Sequence, residues 1–151
     1  MSKRSTNHRT IASNRRARFE YEVEDQYEAG IVLQGTEVKS LRAGHAVITE
    51  GYVVITEDEA WLHQVHIPEY SHGNRENHLP HRKRKLLLSH REIQKIKRKV
   101  TQQSYNAFPL ELYFKGHRVK VALGVGRGKK LYDKRQSEKE KSSRRELRER
   151  Y

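Results

Sequence analysis

A chain of 151 residues that is 34 % hydrophobic and 34 % charged suits one domain with segments to spare, since globular chains usually run to about 45–50 % apolar. It has no cysteine, which excludes a disulfide framework and a thiolate zinc site, and no apolar run approaches the roughly 20 residues of a membrane span. Its net charge of +13 falls in blocks: six Lys/Arg and no acid over 1–18, ten acids against two bases over 19–63, ten bases against two acids over 75–99, and eleven bases against five acids over 127–151. Each cation that meets a phosphate releases condensed counterions, so such blocks are the footprint of a polyanion. Charge kept for solubility alone mixes its signs. The basic start has no hydrophobic segment of the secretory kind, and a cytoplasmic location is expected.

Residues 1–18 read as a disordered basic arm, with almost nothing to bury. Phe19, Tyr21 and Val23 then alternate with Glu20, Glu22 and Glu24, the period of a half-buried strand. Gly30 opens an apolar run, Ile31-Val32-Leu33, that is a second strand or the far arm of a bent one. A short helix near 36–43 follows, with Thr36 as N-cap, Val38 and Leu41 on one side and Gly44 as left-handed stop. Tyr52–Thr56 and Ala60–Val65 flank Glu57-Asp58-Glu59 as a hairpin. Residues 68–85 are a polar loop closing in His81-Arg82-Lys83-Arg84-Lys85.

Leu86-Leu87-Leu88 leads into Ser89-His90-Arg91-Glu92, a capping box with Leu88 and Ile93 as hydrophobic staple. Ile93, Ile96 and Val100 recur at helical spacing, which predicts a helix near 89–103 with Lys95, Lys97, Arg98 and Lys99 around its apolar stripe. Leu110, Leu112 and Phe114 alternate, Gly116 breaks, and Val119, Val121, Leu123 and Val125 alternate: a second hairpin, with Arg118 and Lys120 on its outer face. This inventory predicts a mainly β domain over 19–126, a small closed or partly closed antiparallel barrel of the OB type with accessory helices. Residues 127–151 form a basic tail. Glu138, Glu140, Glu146 and Glu149 sit among its cations at three- and four-residue spacing, which supports a helix once nucleated. With almost no apolar stripe to pack, the tail reads as disordered when free and helical on a charged surface.

No catalytic set emerges. His63 and His66, and His78 and His81, are three apart, but no carboxylate stands at ligand spacing, so neither pair reads as a metal site. Gly124-Val125-Gly126-Arg127-Gly128 follows a strand and precedes a charged tail. It reads as a flexible exit from the barrel rather than a cofactor cradle. No cofactor is expected. Most of the acids Glu20, Glu22, Glu24, Asp25 and Glu28 fall on a solvated strand face. Glu28 stands where the strand pattern breaks: a structural role is the simpler reading, and a hydrogen bond to a base edge or ribose hydroxyl is the other. Tyr132, among Lys129, Lys130, Lys134 and Arg135, is suited to stack on a base.

Three blocks carry a family resemblance. They are Glu28-Ala29-Gly30-Ile31-Val32-Leu33-Gln34-Gly35-Thr36-Glu37-Val38-Lys39-Ser40-Leu41-Arg42-Ala43-Gly44, then Arg84-Lys85-Leu86-Leu87-Leu88, and Gly128-Lys129-Lys130-Leu131-Tyr132-Asp133-Lys134-Arg135. With Asn14-Arg15-Arg16-Ala17-Arg18 and Gly73-Asn74-Arg75, they resemble SmpB, the family that binds transfer-messenger RNA. The resemblance implies an OB-like barrel that takes the tRNA-like part of that RNA, and a C-terminal tail that becomes helical in the empty mRNA channel of a stalled ribosome. The complex lets translation switch templates, without catalysis by the protein. It implies that Asn14, Glu28, Leu87 and Lys120 bind the tRNA-like RNA, with Lys39 and Arg42 as added phosphate contacts. It implies that Gly128, Lys129, Lys130, Tyr132, Asp133, Lys134 and Arg135 act at the decoding centre, against small-subunit ribosomal RNA.

The chain departs from the family at Phe19, where His is frequent, and at Leu79, where Asp is common. The partners expected are the transfer-messenger RNA and the ribosome, with no membrane, and a monomer as the default. A structural ribosomal protein with basic tails is the rival reading.

Overall fold

The computed structural model describes residues 8–71 and 77–129. Gly73-Asn74-Arg75 and the tail residues Lys130, Tyr132, Asp133, Lys134 and Arg135 lie outside the described residues.

Among the described residues, seven strands and three helices follow one another as β1 (His8–Ser13), α1 (Arg15–Glu20), β2 (Tyr21–Ile31), α2 (Gly35–Arg42), β3 (Tyr52–Thr56), β4 (Glu59–His63), β5 (Arg84–Leu87), α3 (His90–Gln102), β6 (Asn106–Lys115) and β7 (Arg118–Gly128). All strand pairs are antiparallel, in the order β1-β6-β7-β2-β5-β4-β3. β3 also lies against β6, which curls the sheet into the expected OB-like barrel with accessory helices.

The inward residues of each strand form the core, among them Ala29, Leu62, Leu86, Leu112, Val121, Leu123 and Val125. Two helices complete it. Leu41 of α2 is fully buried, and α3 adds Ile96. The capping box at Ser89 forms as expected: the Ser89 hydroxyl accepts from the Glu92 amide at 3.2 Å, and the Glu92 carboxylate accepts from the Ser89 amide at 3.0 Å. Gly44, at φ 86°, ends the turn after α2. Glu57 and Asp58, both at positive φ, make the two-residue turn of the β3–β4 hairpin.

Several expectations are revised. Residues 8–18 are not a free arm: β1 pairs with β6, and α1 buries Ala17 against Phe108 and Leu110. Phe19 belongs to α1 and not to the strand. Of the two readings of the run after Gly30, the far arm of the same strand holds, since Ile31 ends the strand that Tyr21 begins and β2 is one long element. The cap of α2 is Gln34 rather than Thr36. The last two residues of the basic run 81–85 do not stay in a loop, since Arg84 and Lys85 begin β5.

The glycines after Leu123 are not a flexible exit either. β7 continues to Gly128, paired with Tyr21. A Cβ on Gly126 would stand 2.0 Å from the Glu22 carbonyl oxygen, so the backbones of β2 and β7 pass there only with hydrogen at that position. Gly128, expected in the tail, is therefore the last residue of the sheet.

Candidate RNA-binding surface

In antiparallel pairs, residues directly opposite share a face, and so do positions two apart on one strand. Gly30 on β2 lies opposite both Leu87 on β5 and Lys120 on β7. Lys120 lies opposite Tyr113 on β6, and Tyr113 opposite Thr10 on β1. Glu28 is two residues before Gly30. One outer face therefore carries Leu87, Glu28, Lys120 and Tyr113 in order across four strands. Leu87 is 53 % exposed, a large apolar side chain left open on this face. A groove beside it is lined by Gly30, Ile31, Leu33, Val38, Leu87, His117, Arg118, Val119 and Lys120.

Glu28 is held by its neighbours. Its carboxylate accepts from the Tyr113 hydroxyl and from Lys115 Nζ at 3.1 Å. The Tyr113 hydrogen bond is the chief cause that holds this carboxyl below its usual range; burial opposes it, and Lys115 and Lys120 add to the lowering. His8 stacks on Tyr113 at 4.3 Å between ring centres. The Glu28 side chain still keeps 42 % of its exposure. An ionised carboxylate has about four lone-pair sites, so it can still accept from a ribose hydroxyl or a base amine.

α2 stands at the end of this face. Its Glu37 is fully buried, and its carboxylate accepts from Arg84 Nε at 2.5 Å and Arg82 Nη2 at 2.5 Å. The same carboxylate takes the Gln34 amide at 2.8 Å, closing the first turn of the helix. Burial pushes Glu37 upward, but the hydrogen bonds from Arg82, the Gln34 amide and Arg84 outweigh it and leave it below the usual carboxylate range. Arg84 is itself fully buried, and it donates to the Val65 carbonyl at 2.8 Å and the Pro80 carbonyl at 3.0 Å. The basic run 81–85 is thus not a free patch. Strand alternation turns Arg84 inward, Arg82 joins it on Glu37, and Lys85 pairs with Glu59 at 2.6 Å.

The expected contact residues divide accordingly. Glu28, Leu87 and Lys120 come together. Lys39 and Arg42 lie on α2 and do not line the groove: the Lys39 ammonium sits 5.7 Å from the Tyr70 ring centre, and the Arg42 carbonyl accepts from Arg9. Asn14 is 3 % exposed, and its side chain accepts from the Ala17 amide and donates to the Pro109 carbonyl. Lys129, the last described residue, donates its amide to the Glu20 carbonyl at 2.8 Å. Tyr113, Lys115 and His8 were not singled out from the sequence. The alternation of Leu112 and Phe114 placed Tyr113 and Lys115 on the opposite side of β6, but nothing local tied them to Glu28. Among the histidines, His78 is buried and shares hydrogen bonds with Thr36 Oγ1 and the Ile67 carbonyl. Among the described residues no helix is long and apolar enough to cross a membrane.

A small antiparallel barrel with one carboxylate held among cations, an open leucine beside it and basic flanks is, as a class, a nucleic-acid-binding barrel. The comparisons with known proteins are specific. The family described as SmpB protein matches residues 11–151, and the chain belongs to it. It is 54 % identical over 138 residues to the SsrA-binding protein of Leifsonia xyli, covering 91 % of this chain and 87 % of that one. It is 54 % identical over 136 residues to the SsrA-binding protein of Streptomyces coelicolor, covering 90 % and 86 %. A solved chain described as "tmRNA-SmpB: a journey to the center of the bacterial ribosome" superposes with a TM-score of 0.67 at 45 % identity, covering 80 % of this chain and 85 % of that one.

Proposed function

We propose that this protein binds the tRNA-like part of transfer-messenger RNA (the SsrA RNA of its relatives' names) and carries it to stalled ribosomes as an adaptor without chemistry of its own. It would work in the cytoplasm, with residues 130–151 entering the vacant mRNA channel and Tyr132 and its neighbouring cations meeting ribosomal RNA. The observation that carries the RNA-binding half is the register that gathers Glu28, Leu87 and Lys120 on one outer face. Leu87 offers an apolar contact to an unstacked base or a ribose. Lys120 and Lys115 offer cations to phosphate. Glu28 accepts from a hydroxyl or base amine, its carboxyl held below the usual range chiefly by the Tyr113 hydrogen bond. Asn14 acts through the placement of β1 and α1, and Lys39 and Arg42 add phosphate contacts from α2.

Glu28 supplies the test, because removing an acid from a protein of net charge +13 strengthens RNA binding in a purely electrostatic account. Hydrogen bonds to charged groups contribute about 1.5–3 kcal/mol, so Glu28→Ala weakens the complex with the isolated tRNA-like domain by roughly tenfold or more in a mobility-shift titration. Equal or tighter binding would remove Glu28 from the interface.

A further inference from the structure

α3 carries five cations and one acid: Arg91, Lys95, Lys97, Arg98 and Lys99, against Glu92. Its acid is engaged in the capping box. Two of its cations face the barrel's own acids, Lys97 on Asp58 at 3.0 Å and Lys99 on Asp25 at 2.6 Å. The other three, Arg91, Lys95 and Arg98, are exposed and have no hydrogen-bond, ion-pair or ring partner among the described residues. They stand at i, i+4 and i+7, so they form one stripe over about 10 Å of helix axis.

The apolar stripe of Ile93, Ile96 and Val100 faces the core, and the cationic stripe lies away from it. Folding does not explain this pattern. Like charges three and four apart destabilise a helix. Arg91, in the first turn, also opposes the helix dipole. A face kept only for solubility would carry acids among its bases.

The stripe does not belong to the surface built around Glu28. Tyr27 on β2 packs against the same core cluster that α3 enters through Ile96 and Val100, so α3 lies on the Tyr27 side of that strand. Glu28, the next residue, points to the opposite side, as strand alternation requires.

We propose that Arg91, Lys95 and Arg98 are a second RNA-docking ridge, which grips the sugar–phosphate backbone of structured ribosomal RNA while the Glu28 face holds the tRNA-like RNA. The choice of ribosomal RNA rests on the proposed function. The ridge itself rests on the three unpartnered cations, their single-sided spacing and their direction. Phosphate contacts of this kind position a protein without reading sequence.

The test compares the full chain with Arg91→Gln/Lys95→Gln/Arg98→Gln, and with Lys97→Gln as the control from the neighbouring, acid-paired row. Two probes are titrated across a salt series: purified ribosomes, and the isolated tRNA-like domain. Each lost phosphate contact flattens the log–log salt dependence by about 0.7–0.9. The triple variant is expected to flatten the ribosome slope by about 2 and to weaken ribosome binding at least fivefold. Its affinity for the tRNA-like domain stays within twofold, and Lys97→Gln changes neither.

Unchanged ribosome binding and slope would reduce the stripe to a solvated helix face and overturn the proposal. A loss confined to the tRNA-like domain, or equal on both probes, would overturn the assignment to ribosomal RNA. If the unaltered chain failed to bind the tRNA-like domain at all, the proposed function would fall, and the ridge would still be judged by the ribosome titration. Because the three side chains are exposed and unpaired and repel one another along the helix, the variant's thermal unfolding is expected at or slightly above the parent's, and a loss of ribosome binding by a destabilised variant would count against the ridge.

Discussion

Glu37 is a buried carboxylate shared by the Arg82 and Arg84 side chains and the Gln34 amide. One carboxylate joins the first turn of α2 to β5 and, through Arg84, to the carbonyls of Val65 and Pro80. Two charges withdrawn from water repay their desolvation only with such full satisfaction, and removing one partner strands the other. Glu37→Gln leaves the Arg84 guanidinium buried opposite a neutral amide, and a loss of about 3–5 kcal/mol is expected, read from the urea midpoint. Pairing Glu37→Gln with Arg84→Met should restore part of that loss, since the Arg84 charge is then no longer buried opposite a neutral amide; a double variant weaker than the sum of the two singles would contradict it. The pH dependence has a definite sign. Glu37 is depressed in the folded state, so its contribution is whole above the ordinary carboxylate range and is lost as pH falls through the depressed value. Acid unfolding of Glu37→Gln should lack that component. No sequence pattern revealed this network. Arg84 and Lys85 read as one basic run, and only the strand's alternation separates a core cation from a surface one.

At the scale of elements, β1 and α1 are held by what they pack on rather than by their own composition. β1 offers the core little beyond Ile11 and Ala12, and it is ordered by its ladder with β6. Between it and α1 stands Asn14, whose side-chain oxygen caps the helix at Ala17 while its amide donates to the Pro109 carbonyl. Losing an N-cap costs about 0.5–2 kcal/mol. Asn14→Ala is therefore expected to lower stability by about 1–2 kcal/mol in urea titrations, and Asn14→Ser, which keeps an acceptor at the cap, to recover most of it. If Asn14→Ala left stability unchanged and still weakened RNA binding, Asn14 would have to touch RNA directly. The same contrast explains which elements were legible. The Ser89 capping box, the β6–β7 hairpin and the hydrophobic stripe of α3 are written in local residues. β1 and α1 are not, because a basic segment acquires order only when β6, a hundred residues away, supplies the pairing. Glu28 was noticed for breaking a pattern, yet its partners Tyr113 and Lys115 follow by 85 and 87 residues, a proximity that only the closed sheet creates.

Across the whole molecule, the acids of the body meet the protein's own cations. Asp25 takes Lys99, Glu37 takes Arg82 and Arg84, Asp58 takes Lys97 and Glu59 takes Lys85. Much of the central basic block is therefore neutralised inside the fold, and the cations left for RNA lie on separate surfaces and in residues 130–151. That partition makes the two binding tasks separable. Residues 130–151 contain nine Lys/Arg and five acids, a modest surplus for a segment expected to contact ribosomal RNA. Removal must begin after Lys129, because β7 runs to Gly128 and the Lys129 amide is bonded to the Glu20 carbonyl; a cut at residue 127 would fray the β2–β7 ladder and confuse a folding defect with a binding one. A chain ending at Lys129 should hold the tRNA-like domain within about threefold of the full chain, since the Glu28 face is intact. It should fail to support peptide tagging in a reconstituted system of stalled ribosomes. A large loss of affinity for the free RNA on this truncation would show that the terminal segment shares the first surface. Tagging at the full rate would show that the ribosome is read by the body alone.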